Sequence, residues 1–102
     1  MKTVRLFEKI KNGNTWFSLN DRCGDWVEII GEHEYIIPEG FVVCEDRTGE
    51  LHFYVEGFSS DYAELGTDEN GFPYLYGMLH NANERVYLKR PDSNADQQKK
   101  EN

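Results

Sequence analysis

Short runs rich in Val, Ile, Phe, Tyr and Trp alternate along the chain with closely spaced turn residues. Such punctuation suits an all-β chain of hairpins and leaves little room for a helix of ordinary length. Turn chemistry sits at Asn12-Gly13, Cys23-Gly24-Asp25, Gly31-Glu32-His33, Pro38-Glu39-Gly40, Asp46-Arg47-Thr48-Gly49, Asp68-Glu69-Asn70-Gly71 and Asn81-Ala82-Asn83. Between these signals the pattern predicts strands at about 3–10, 15–20, 26–31, 34–37, 41–46, 50–56, 73–80 and 84–90. Residues 58–66 are the one place where a helical turn fits, with Ser60 or Asp61 as cap and Gly66 as stop, and a loop fits there as well. The expected fold class is all-β with at most that one short helical turn. It takes the form of a small, strongly bent antiparallel barrel or a two-sheet sandwich built from hairpins.

Two hairpins are regular enough for their faces to be assigned. Asp46-Arg47-Thr48-Gly49 suits a type I turn with glycine in the left-handed position, which sets Asp46 opposite Glu50, Cys44 opposite His52 and Val43 opposite Phe53. Phe41, Val43, Leu51, Phe53 and Val55 then share a core face, and Val42, Cys44, His52 and Tyr54 share the other. In the second hairpin an even loop at 81–84 pairs Leu79 with Val86 and His80 with Arg85. Leu75, Leu79, Val86 and Leu88 fall on its aliphatic side, and Tyr74, Tyr76, Arg85 and Tyr87 on its aromatic and basic side. Trp16, Phe17, Trp26, Ile29 and Ile30 are expected to add core volume.

At 102 residues the chain has room for one domain, expected over 1–90. Residues 91–102 carry no large apolar side chain and are expected to form a disordered polar tail. Charge changes the picture more than length does. The net charge of −8 is unevenly spread: +3 over residues 1–19, −12 over 20–70, +2 over 71–90 and −1 over the tail. If the central carboxylates share a face, their field repels nucleic acid and attracts basic protein grooves. Scattered, they would serve solubility alone.

Candidate chemistry is sparse. No run of about 20 apolar residues is present to cross a bilayer, and the first residues lack a secretory apolar segment, so a cytoplasmic location is expected. Cys23 and Cys44 are too few for a disulfide scaffold and lack the close C-x-x-C spacing of common zinc sites. A thiol–imidazole pair of Cys44 and His52, oriented by Asp46 or Glu50, has the right groups but no oxyanion donors beside it. A metal site from Cys23, Cys44, His33 and His52 has suitable ligand types at irregular separations, so no metal and no cofactor is expected. Carboxylate pairs such as Asp25 with Glu28 are too common in so acidic a chain to point anywhere, and no phosphate-loop, dinucleotide or hydrolase signature occurs.

These readings favour a non-enzymatic, cytoplasmic protein-interaction module whose acidic surface binds a basic partner, including one whose nucleic-acid-binding site it would occupy. The acidic candidates are Glu45, Asp46, Glu50, Glu56, Asp61 and Glu64. Tyr74, Tyr76, Tyr87 and Arg85 form a second candidate face, enriched in the residue types of protein contacts. A homo-oligomeric structural module using that face is the alternative. Direct nucleic-acid or membrane binding is not expected.

Overall fold

The computed structural model describes residues 2–77 and 84–91, and of residues 58–61 the backbone alone. β1 (Thr3–Lys11) and β2 (Asn14–Ser18) turn about Asn12 and Gly13, whose φ angles of 54° and 82° are those of the two-residue turn expected for Asn-Gly. β3 (Glu28–Ile36) pairs with the other side of β1, giving a three-stranded sheet in the order β2-β1-β3. β4 (Phe41–Glu45), β5 (Leu51–Val55), β6 (Phe58–Thr67), β7 (Pro73–Gly77) and β8 (Val86–Tyr87) follow in sequence order as a second antiparallel sheet. This second sheet curls into a half-barrel, so the all-β expectation holds.

The core lies between the two sheets. Val4 and Leu6 from β1, Phe17 from β2 and Tyr35 from β3 meet Phe41, Phe53, Val55, Ala63, Leu75 and Leu88 from the half-barrel side. Leu6 and Leu75 are completely buried, and Phe17 meets Tyr35 edge to face at 5.8 Å. A seam joins the sheets where Ile36 N donates to the Lys89 carbonyl at 2.8 Å, next to the Ile37 N bond to the Lys2 carbonyl at 2.9 Å. The 41–55 hairpin has the expected register, with Cys44 opposite His52 and Val43 opposite Phe53. Its turn is closed by Gly49, at φ 84°, donating to the Asp46 carbonyl at 3.1 Å.

Four expectations are corrected. Residues 58–67 form a strand and no helical turn: Tyr62 to Thr67 alternate outward and inward, and ladders to β5 and β7 satisfy the backbone on both sides. The two short strands at 26–31 and 34–37 are one strand, β3, with no turn at Gly31. The irregularity expressed there is a bulge: Glu8 pairs with Gly31 and Lys9 with Ile29, so Ile30 is the extra residue. Trp26, Ile29 and Ile30 are not core; Trp26 is 85% exposed at φ 66°, and both isoleucines are exposed, with no element of the described residues over that end of β3. Lastly, Val86 pairs with Leu75 and Tyr87 with Tyr74, four residues from the expected register. An even shift preserves the faces, so Leu75 and Val86 still point inward. Leu79, His80 and the 92–102 tail lie outside the described residues.

A buried lysine links the layers. The alternation along β1 breaks at the bulge, and Lys9 turns inward to donate from Nζ to Asn20 Oδ1 at 3.0 Å and to the Arg22 carbonyl. The loop so held directs Arg22 across to Glu50 at 2.7 Å, on the far sheet.

Candidate binding face

The outer, convex side of the half-barrel carries a continuous aromatic surface. Strand alternation sends His52 and Tyr54 of β5 outward, then Tyr62, Glu64 and Gly66 of β6, Tyr74 and Tyr76 of β7, and Tyr87 of β8. Five of the six tyrosines of the chain therefore share one face, and only Tyr35 lies in the core. Tyr54 and Tyr62 stack at 5.0 Å with His52 edge-on to Tyr62 at 6.0 Å. Tyr74 lies 6.0 Å from Tyr76 and 5.7 Å from Tyr87. Between these two groups Glu64 sits opposite Tyr76.

Gly66 explains how the rings lie flat. A Cβ there would come within 2.6 Å of the Tyr74 ring, so only glycine lets Tyr74 lie across β6. Above Tyr74, the Arg85 guanidinium stacks 4.5 Å from the ring centroid, and its Nη1 lies 4.0 Å from Glu69 Oε2. This is a cation held between an aromatic face and a carboxylate.

Two turns of the same design bound the face. In one, Asp46 Oδ1 accepts from the backbone of Thr48 at 2.8 Å and of Glu50 at 3.0 Å. In the other, Asp68 Oδ1 accepts from Asn70 and Phe72, both at 2.9 Å. Each leaves Oδ2 for the aromatic face: Asp46 to His52 Nε2 at 2.9 Å, Asp68 to the Tyr87 hydroxyl at 3.0 Å. Hydrogen bonds from the Thr48 side chain and then from His52 hold the Asp46 carboxyl far below the usual carboxylate range. The Phe72 amide leads the same effect on Asp68. Desolvation, followed by the neighbouring Tyr62 hydroxyl, raises the Tyr54 phenol.

Of the acidic candidates, the fold gathers Glu45, Asp46 and Glu50 at the β4–β5 turn. Two of these three already have partners, Asp46 within its own turn and Glu50 in the pair with Arg22. Glu56 lies in the turn at the opposite end of β5, a strand's length away. Glu64 is exposed on the aromatic face, and Asp61 falls among the residues described by backbone alone. Of the second set, Tyr74, Tyr76, Tyr87 and Arg85 are together as expected. Tyr54, Tyr62 and His52 extend that face and were not joined to it from sequence, because Tyr62 lay in the stretch that suited a helical turn.

Other chemistry does not assemble. Cys44 faces His52 across the ladder, but its exposed thiol makes no hydrogen bond among the described residues, and the imidazole is turned to Asp46. No three His, Cys, Asp or Glu side chains among the described residues are grouped to hold a metal ion. Among the same residues no helix is long and apolar enough to cross a membrane. No family model matches the chain, and no curated protein or solved structure is detectably similar to it.

Proposed function

We propose that the chain is a non-enzymatic, cytoplasmic interaction module that takes a basic segment of a partner protein onto the outer face of its half-barrel. The observation that carries this reading is Arg85 on Tyr74 beside Glu69, because the chain's own guanidinium occupies the kind of cradle a partner's arginine would use. Glu64, opposite Tyr76 and two residues along β6 from Tyr62, offers a second such cradle, and Tyr62 is 52% exposed. Stacking on a tyrosine face with a carboxylate alongside suits arginine better than lysine, since a guanidinium is planar and weakly hydrated. Net charge of −8 adds long-range attraction for a basic partner, including one that otherwise holds nucleic acid, and disfavours phosphate backbones. The exposed free thiols Cys23 and Cys44 suit a reducing compartment.

Titration of the full chain with a deca-arginine peptide, at low and at high salt, tests the reading. Affinity should fall steeply with salt. Glu64→Lys and Tyr62→Ala should each weaken binding by about tenfold, as truncation of a central contact does, whereas Glu56→Lys, away from the face, should cost far less. Binding indifferent to salt, or equally sensitive to all three substitutions, would falsify the proposal. A concentration-dependent dimer dispersed by Tyr62→Ala would favour the homo-oligomeric alternative.

A further inference from the structure

β4 is an outer strand of the five-stranded sheet, with β5 on one side and no strand on the other among the described residues. Its hydrogen bonds are set at both ends, where Asp46 N donates to the Glu50 carbonyl and Glu56 N to the Gly40 carbonyl, each at 2.9 Å. An antiparallel ladder alternates, so Val42 and Cys44 also turn their backbone groups to β5. Phe41, Val43 and Glu45 turn theirs to the open side. The Phe41 amide is taken up by the Pro38 carbonyl at 3.3 Å, which leaves the Phe41 carbonyl and both groups of Val43 and Glu45 along the edge. Proline, a bulge or a lysine blunts many exposed edges. Between Phe41 and Glu45 there is none of these, and Glu45 is the one charge.

A cleft of about 240 Å³ lies against this edge. Phe41, Val42 and Val43 form one wall. Successive strand residues point to opposite faces, so a cleft that meets all three runs along the edge. Lys2, just before β1, and Ile37 and Pro38, just past β3, stand on the other side. Ile37 and Val43 already pack against the core, so an apolar side chain entering here extends it. Charge around the cleft is one-sided. Glu39 and Glu56 line it and Glu45 ends β4; all three are exposed, and their carboxylates make no hydrogen bond or ion pair among the described residues. Lys2 is the one cation lining it, so three carboxylates face a single ammonium.

We infer that the β4 edge takes an extended segment of a basic partner protein, added to the sheet as a further strand. Main-chain bonds to Val43 and Glu45 hold the segment, and an apolar side chain enters the cleft beside Ile37 and Val43. Lysine or arginine residues flanking that side chain meet Glu39, Glu45 and Glu56. A second copy of this chain fits the edge less well, because it would bring the same three carboxylates up to their counterparts.

The test is titration of the full chain with a capped heptapeptide of alternating valine and lysine, followed by amide shifts and hydrogen exchange. Shifts confined to β4 and the 37–40 turn, with slower exchange at the Val43 and Glu45 amides, are expected. An added strand bonds through every second residue, so N-methylation at the valines or at the lysines, but only one of the two, should abolish binding. Glu39→Lys combined with Glu56→Lys, both exposed positions, should weaken binding about tenfold, equivalent to two exposed ion pairs of ordinary size. A peptide of alternating valine and glutamate should not bind. Absence of binding, equal binding of the two peptides, equal sensitivity to the two methylation patterns, or unchanged affinity in the double variant would overturn the inference. Protection of Val43 that grows with protein concentration and needs no peptide would assign the edge to a second copy and overturn it as well. Deca-arginine offers the cleft no apolar side chain, and Tyr62 and Glu64 should keep their shifts here, so this inference and the convex-face reading fail separately.

Discussion

Asp46 and Asp68 each do two jobs with one carboxylate, and the division between the two oxygens has a measurable consequence. Oδ1 of each holds the amides of its turn, and Oδ2 reaches a ring on the convex face. Both carboxyls are held below the ordinary value of 3.8. A carboxyl lowered in the folded state contributes stability that is complete above its unfolded pKa and is lost as pH falls through the folded one. Asp46→Asn should therefore lower Tm at neutral pH, and its deficit relative to the parent should shrink as pH falls below about 4, the unfolded range of an aspartate. Thermal melts of both proteins from neutral to strongly acidic pH check this; a deficit constant across that range would contradict the assignment. Lys9 is a different case, a buried cation that binds neutral oxygens of the 20–22 loop. Lys9→Ala removes those bonds and should cost about 1–3 kcal/mol. The freed loop should also be cut faster by trypsin after Arg22, read by limited proteolysis under native conditions.

Strand β6 shows where local signals stop and tertiary pairing takes over. Ala63, Glu64 and Leu65 are good helix formers and Gly66 resembles a helix stop, so Tyr62 and Thr67 alone do not tip the segment towards a strand. Only β5 and β7, each supplying a ladder, make the extended form the better one. The 41–55 hairpin was legible for the opposite reason, because Asp46 and Gly49 fix its turn locally and the turn fixes the register. The aromatic side of 73–90 survived a four-residue register error since an even shift turns no side chain over. Its continuation through Tyr62 to Tyr54 was invisible until β6 became a strand. Trp26, Ile29 and Ile30 misled in another way: residue type suggests burial, but whether an element arrives to cover them is decided elsewhere in the chain. Gly66→Ala isolates the part of β6 that serves the convex face. The new methyl displaces the Tyr74 ring, while alanine restores about 0.5–1 kcal/mol of strand stability over glycine. The expected outcome is nearly unchanged folding stability with loss of the ring-current shifts that Tyr74 imposes on the Arg85 side chain, both measured on one labelled sample.

At the scale of the whole molecule, the described residues tie the two sheets at three places: the core, the Arg22–Glu50 pair, and the seam at Ile36 and Lys89. These ties are unequal in strength. The ion pair is exposed on the arginine side, and exposed pairs contribute about 0–1 kcal/mol. The seam is stronger because Leu88, beside Lys89, is buried in the core and its amide bonds the Pro73 carbonyl at 3.2 Å. Leu88→Ala removes buried methyl groups at the joint and should cost about 2–5 kcal/mol. That is a large share of the roughly 5–15 kcal/mol that holds a small domain together. Trp26→Ser, although it removes the larger side chain, should change stability by no more than about 0.5 kcal/mol because that ring is already in water. Urea unfolding of the parent and both variants compares them directly. The cost of a substitution should follow its distance from the seam and core, not the size of the residue lost. If Trp26→Ser proved the more costly, the exposed end of β3 would have to contribute to the folded state, and the two-sheet account of its stability would be wrong.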